Sequence, residues 1–262
     1  MNDININIEI TFMEKKLIKL KNKVCIITGC NGYIGNKIIS KLASLGVRII
    51  GTDLNYKKNK NIKMFIQANL ESRDDINQIV EKVNKKFKKI DILINNASYV
   101  GASEANNKNY KKVFYNEKYE RLNLSNTIYF TNCFLKSLKK SSSGSIINIS
   151  SIYSFLGYDY KLYKDTIMRA PLAYGVSKAG LVQYTKMLSN ALAPKIRVNA
   201  VSPGGIFRKQ PKKFIKKYLD KTPLGRMGTE DDVANAVIFL SSNLSTYITG
   251  QNIIVDGGYS NA

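Results

Sequence analysis

Apolar and polar positions alternate along this chain in two rhythms. Short apolar runs predict buried strands, and apolar residues recurring three and four apart predict helices. Val24-Cys25-Ile26-Ile27 reads as the first strand. Further strands are expected at Val47 to Gly51, Lys63 to Ala68, Ile90 to Ile94, Ser145 to Ile149, Ile196 to Val201 and Asn252 to Val255. Helical patterns lie between them. Lys37 to Leu45 carries Ile38, Ile39, Leu42 and Leu45 on one face, and Arg73 to Phe87 carries Ile76, Ile79, Val80, Val83 and Phe87. Glu117 to Lys140, Tyr174 to Leu192 and Asp231 to Ser241 complete the set. This order predicts an α/β fold, a parallel sheet doubly wound by helices on both faces. No linker or repeat divides the chain, so residues 21–262 read as a single domain. Residues 1–20 read as an N-terminal extension. The alternation Ile4-Asn5-Ile6-Asn7-Ile8 suits an edge strand, and Met13-Glu14-Lys15-Lys16 offers a second natural start.

The first strand runs into Thr28-Gly29-Cys30-Asn31-Gly32-Tyr33-Ile34-Gly35, and a helix follows. Glycines at such a turn let a pyrophosphate approach the helix N-terminus, as in a Rossmann-type sheet. A glycine trio alone is weak evidence. Asp53 strengthens it, because it ends the second strand where a carboxylate would bind adenosine ribose hydroxyls. A carboxylate there repels a 2′-phosphate, and no Arg or Lys in the glycine turn or directly after Asp53 receives one. NAD is therefore favoured over NADP. The plainer alternative makes Asp53 a turn residue.

Composition changes the picture in three ways. The chain has no histidine, which removes Ser-His-Asp triads, Cys-His pairs and His-ligated metals. No metal site is expected, and Cys25, Cys30 and Cys133 fit no zinc spacing. The 41 Lys plus Arg against 19 acids give a net charge of +22. Lysine supplies 34 of those cations and arginine only 7, beside 28 Asn and 32 Ile, a bias that A/T-rich codons explain. Phosphate readers lean on arginine forks as well, so a nucleic-acid partner is not expected. No apolar run reaches the roughly 18 residues of a membrane span, and the N-terminus lacks a signal-peptide pattern. The expectation is a cytoplasmic protein without a membrane partner.

Further along, Tyr174 and Lys178 stand four apart on a predicted helix, hence on one face. Such a pair alone equally suits a solvated helix face. Taken in order with the glycine turn, other motifs make the case specific: Asn95-Asn96-Ala97, Asn148-Ile149-Ser150-Ser151, Tyr174-Gly175-Val176-Ser177-Lys178, Arg197-Val198-Asn199, Pro203-Gly204, and Gly250-Gln251 to Asp256-Gly257-Gly258. From about residue 20 to the end, the chain resembles the classical short-chain dehydrogenases/reductases. It also resembles the subgroup associated with bacterial surface-sugar and flagellin-glycan pathways. It departs from the family pattern at Tyr33, usually Gly; at Ser98, usually Gly; at Asn69, often Asp; and at Arg208, often Thr.

The resemblance implies hydride transfer between a secondary alcohol or ketone and a nicotinamide cofactor. Tyr174 is then the proton-transfer group, and an adjacent Lys178 ammonium favours its phenolate. Ser151 holds the substrate oxygen, and Asn123 holds a proton-relay water near the lysine. The cofactor site expected is Gly29, Asn31, Gly32, Tyr33, Ile34, Gly35, Asp53, Asn69, Leu70, Asn96, Ala97, Tyr174, Lys178, Pro203, Gly204 and Ile206. The partner is a small-molecule substrate, a sugar derivative or other anion, and the family forms homodimers and homotetramers. The pairing helices would be Glu117 to Lys140 and the Tyr174 helix, with Leu181, Tyr184, Leu188 and Leu192 off its catalytic face. The tyrosine-rich stretch from Ile152 through Arg169 suits either a sugar-like ligand or, equally, an oligomer contact or a surface flap. The basic stretch between Phe207 and Thr222 is either a substrate lid that favours an anion or a solvated lysine-rich helix. Two other readings stand beside the first. One is a 3-oxoacyl-carrier-protein reductase-like enzyme, and the other is a non-catalytic NAD-binding interaction protein on the same scaffold.

Overall fold

A computed structural model describes residues 18–100, 116–164, 166 and 171–262. The edge strand expected at Ile4 to Ile8 and the start at Met13 lie outside the described residues, as does most of the stretch from Asp165 to Ala170.

Seven strands form one sheet: β1 (Val24–Thr28), β2 (Arg48–Asp53), β3 (Ile62–Gln67), β4 (Ile92–Asn95), β5 (Gly144–Ile149), β6 (Ile196–Pro203) and β7 (Asn252–Val255). Their order is β3-β2-β1-β4-β5-β6-β7, and every neighbouring pair is parallel. Helices cover both faces, which is why β1, β4 and β5 are buried along their whole length and read as unbroken apolar runs. On one face α1 (Tyr33–Ser44) and α8 (Glu230–Ser241) pack Ile38, Ile39 and Leu42 with Val233, Val237 and Leu240. On the other face lie α2 (Arg73–Lys86), α4 (Asn126–Leu138) and α6 (Leu172–Leu192), which contribute Ile76, Val83, Phe130, Phe134 and Leu188. The chain reverses its direction of winding between β1 and β4. That switch point opens a crevice beyond the carboxyl ends of the strands, the usual ligand position in such sheets.

One buried carboxylate ties the lower end of the sheet together. Asp91 accepts from the Val24 amide at 2.9 Å and the Ser141 hydroxyl at 2.6 Å, and Lys89 pairs with it at 3.0 Å. Burial alone would raise its carboxyl. The bonds from Ser141, Val24 and Lys89 outweigh that and hold it below the ordinary value.

The structure differs from the sequence pattern in four places. The first helix begins at Tyr33 rather than Lys37, directly after Gly32. The helix expected over Glu117 to Lys140 is interrupted: α3 (Glu117–Glu120) passes into a π-helical turn at Arg121–Ser125 before α4. The tyrosine-rich stretch contains a short helix, α5 (Tyr160–Tyr163). The basic stretch forms α7 (Lys212–Leu219), but its face is not wholly solvated, because Phe214 and Tyr218 are buried. Among the described residues no helix is long and apolar enough to cross a membrane.

Candidate active site

A cleft of about 570 Å³ opens at the switch point, within the range of small-ligand sites. Its floor is the glycine turn. Gly29 has φ +64°, and a Cβ there would stand 2.7 Å from Ala97 Cα, so only glycine fits. A Cβ on Gly35 would stand 2.3 Å from the Gly29 carbonyl, which sets how closely α1 approaches β1. Gly32 caps α1 without a side-chain partner, and the first turn carries no acid. A helix N-terminus left in that state favours an anion. The site thus fits the diphosphate of a dinucleotide on its own chemistry.

Gly29, Gly32, Tyr33, Ile34 and Gly35 all line the cleft. Asp53, Asn69 and Leu70 stand at one end, Asn96 and Ala97 at its centre, and Ser151, Tyr174, Lys178, Pro203, Gly204 and Ile206 at the other. Two expected residues are not in the lining. Asn31 sits behind Asp53: its amide donates to Asp53 Oδ2 at 2.9 Å, and its side chain donates to the Asn55 carbonyl at 2.5 Å. With the Leu54 amide on Oδ1 at 2.8 Å, the Asp53 carboxylate is held in a fixed pose. Asn123 is buried in the π-helical turn. It accepts from the Tyr99 amide at 2.7 Å, and it donates to the Tyr99 carbonyl at 3.0 Å and the Ser177 hydroxyl at 3.3 Å. Its side chain therefore braces the cleft wall at Tyr99.

The chemistry end is assembled by β5 and α6. Ser151 follows β5, its hydroxyl accepts from the Tyr153 amide at 3.2 Å, and it lines the cleft together with Tyr174. Ser150, by contrast, is buried with its hydroxyl on the Lys178 carbonyl at 3.0 Å. Lys178 lies one turn along α6 from Tyr174, with Nζ 5.7 Å from the phenol ring centre and 2.9 Å from the Ile149 carbonyl. Burial pushes the Lys178 ammonium down to about 7. Burial also pushes the Tyr174 phenol up, and Ser151 draws it back only in part. Desolvation thus drives both groups toward their neutral forms.

Sequence reasoning missed part of the wall. Tyr119 is fully buried, with its ring 6.4 Å from that of Tyr174 and 4.9 Å from that of Tyr99. Lys118 reaches the cleft, stacks over Tyr99 at 4.8 Å and pairs with Glu71 at 2.8 Å. Neither residue belongs to a local motif, so only the fold brings them in.

The described part of the tyrosine-rich stretch is largely an internal cluster. The Tyr153 and Tyr163 hydroxyls bond at 2.5 Å, and Tyr163 meets Phe214 of α7 at 5.6 Å between ring centres. Lys217 donates to the Lys161 and Lys164 carbonyls, and Lys221 pairs with Asp159. These contacts hold α7 against α5. Of the basic stretch, Arg208 alone lines the cleft. The apolar face of α7 turns inward, which sends Lys212, Lys213 and Lys216 to solvent. Leu181, Leu188 and Leu192 of α6 are likewise buried within the chain, whereas Val176 and Met187 are exposed.

Comparison with known proteins agrees with this architecture. The family model described as enoyl-(acyl carrier protein) reductase matches residues 31–260. A 3-oxoacyl-acyl-carrier-protein reductase FabG of Buchnera aphidicola is 34% identical, covering 92% of this chain and 98% of its own length. Post-translational flagellin modification protein A of Campylobacter coli is 30% identical, with coverage of 92% and 99%. A solved short chain dehydrogenase from Leptospira borgpetersenii with bound NAD+ superposes with a TM-score of 0.81 at 34% identity, covering 92% of this chain and 93% of that one. The chain belongs to the classical short-chain dehydrogenase/reductase family, whose members are NAD(P)-dependent oxidoreductases.

Proposed function

We propose that this protein interconverts a secondary alcohol and a ketone on a small molecule, with NAD as its cofactor and Tyr174 as the proton-transfer group. The observation that carries this reading is the convergence of Ser151, Tyr174 and Lys178 on one cleft, with the Lys178 amine 5.7 Å from the centre of the Tyr174 ring. Gly32, Tyr33 and Ile34 would hold the diphosphate, Asp53 the adenosine ribose, and Lys178 the nicotinamide ribose. The bound dinucleotide supplies the hydride acceptor or donor. Ser151 orients the substrate oxygen and donates to the charge that develops there. Tyr174 removes the alcohol proton in oxidation and returns it in reduction. A cation brought beside Tyr174 favours its phenolate, which offsets the rise that burial causes in the free protein. Asn123, held in place by Tyr99 and Ser177, would hold a proton-relay water near Lys178.

NAD is preferred in this reading because Asp53 is fixed by two backbone amides with its charge facing the cleft. Titration with NADH and NADPH tests it: tighter NADH binding is expected, and a clear NADPH preference overturns it. A panel of sugar and acyl substrates, followed by NADH absorbance, then identifies the substrate class. A 2-dehydro-3-deoxy-D-gluconate 5-dehydrogenase of Dickeya dadantii, 30% identical to this chain, supports a sugar derivative. The FabG relatives support a second reading, 3-oxoacyl-carrier-protein reduction, which the acyl arm of the panel tests. The assembly proposed is a homodimer or homotetramer. Exposed Val176 and Met187 on α6 and Ile254 on the edge strand β7 support it, and sedimentation measures it.

A further inference from the structure

Two of the positions at which this chain departs from the family pattern touch each other. The Arg208 guanidinium lies 4.3 Å from the centre of the Tyr33 ring. Tyr33 is the first residue of α1, and Arg208 comes from the loop between β6 and α7. Both line the cleft, on either side of the uncapped helix N-terminus. Tyr33 is 71% exposed, so its ring face is available to the guanidinium. Arg208 is anchored from the other side. Its Nη1 pairs with Glu230 at 2.7 Å and donates to the Phe207 carbonyl at 2.6 Å. Both contacts leave through Nη1, so the Nε–Nη2 edge makes no hydrogen bond among the described residues. A guanidinium held over an aromatic face with one edge open is prepared for bidentate recognition of a phosphate.

We propose that Arg208, stacked on Tyr33 and held by Glu230, forms a clamp that closes the cleft over the diphosphate of the dinucleotide. The α1 N-terminus meets the diphosphate from below and the guanidinium meets it from the loop side. Arg208 is the contacting residue. Tyr33 and Glu230 are positioning residues, fixing the plane and the open edge of the guanidinium. The clamp rests on the dinucleotide reading above, but it adds a cation that the glycine turn itself lacks. It also couples the β6–α7 loop to cofactor binding, because Arg208 and α7 belong to one segment.

The test is calorimetric binding of ADP-ribose, which carries the diphosphate, and of adenosine, which does not. Arg208→Ala and the milder Arg208→Gln are expected to weaken ADP-ribose by roughly tenfold or more, as loss of a charge-assisted bond does, with adenosine unchanged. The dependence of ADP-ribose affinity on salt should become shallower in both. Tyr33→Ala should weaken ADP-ribose without adding to Arg208→Ala in the double variant, and Tyr33→Phe, which keeps the ring, should restore affinity. Equal ADP-ribose affinity in wild type and both Arg208 variants overturns the clamp, as does an equal loss for adenosine. If the wild-type protein binds neither NADH nor ADP-ribose, the dinucleotide reading falls first. If it binds both and the Arg208 variants match it, the clamp alone falls.

Discussion

Lys178 donates from Nζ to the Ile149 carbonyl across 2.9 Å, joining the middle of α6 to the last residue of β5. The amine is buried, and that contact aligns the strand carrying Ser151 with the helix carrying Tyr174. A cationic group without a carboxylate beside it pays for this position in its protonation equilibrium.

The consequence for stability has a definite sign. The Lys178 amine titrates at about 7 when folded and near 10.5 when unfolded. Between those values the unfolded chain binds more protons, so stability rises with pH across that window. In the free protein, unfolding by denaturant from pH 7 to 10 should therefore show wild type gaining on Lys178→Met by up to ~1.4 kcal/mol per pH unit. Parallel pH curves for the two proteins would rule out a largely neutral folded lysine.

Removing the phenol hydroxyl isolates the proposed proton transfer. Tyr174→Phe keeps the ring and its edge contact with Tyr119. Turnover should fall by about 10²–10⁴-fold, while NADH affinity stays within about twofold. Stopped-flow binding beside steady-state rates separates the two. Unchanged turnover would remove Tyr174 from the mechanism.

Charge at the adenosine end should set the choice of dinucleotide. Asp53→Asn keeps the shape of the side chain and removes the repulsion of a 2′-phosphate. The ratio of NADPH to NADH affinity should rise by about tenfold or more, since like charges juxtaposed cost several kilocalories. Fluorescence titration with both dinucleotides measures it.

At the opposite end of the sheet, Asp91 should control acid stability. Its folded carboxyl lies below the ordinary 3.8, so the stability it contributes is present above that value and is lost as pH falls through it. Asp91→Asn should lose stability at pH 7, where the buried Val24 amide and Ser141 hydroxyl lose a charged acceptor, by ~1–3 kcal/mol. Its loss of stability from pH 5 to 3 should be flatter than that of wild type. Thermal melts across that range report both effects.

The expected strands appear in order, each within a few residues, because strands covered on both faces must be apolar throughout and so leave a local signal. The glycine turn, Asp53, Ser151, Tyr174 and Lys178 were legible for a related reason. Tight turns, strand ends and helix spacing are short-range constraints, and they fix which residue types stand at which offsets. The π-helical turn at Arg121–Ser125 left no such mark. Within it Asn123 bonds Tyr99 and Ser177, which are 24 and 54 residues away in sequence.

The sequence by itself determined the parallel α/β plan, the family and the place of Ser151, Tyr174 and Lys178 in the cleft. The tertiary structure decided the charge state and the company of those residues. Burial, which no local pattern reports, moves Lys178 and Tyr174 toward neutrality. Lys212, Lys213 and Lys216 of the basic stretch are turned to solvent as Phe214 and Tyr218 turn inward, while Arg208 is carried to the cleft and placed over Tyr33. Such pairings join residues separated by most of the chain, and only packing brings them within reach.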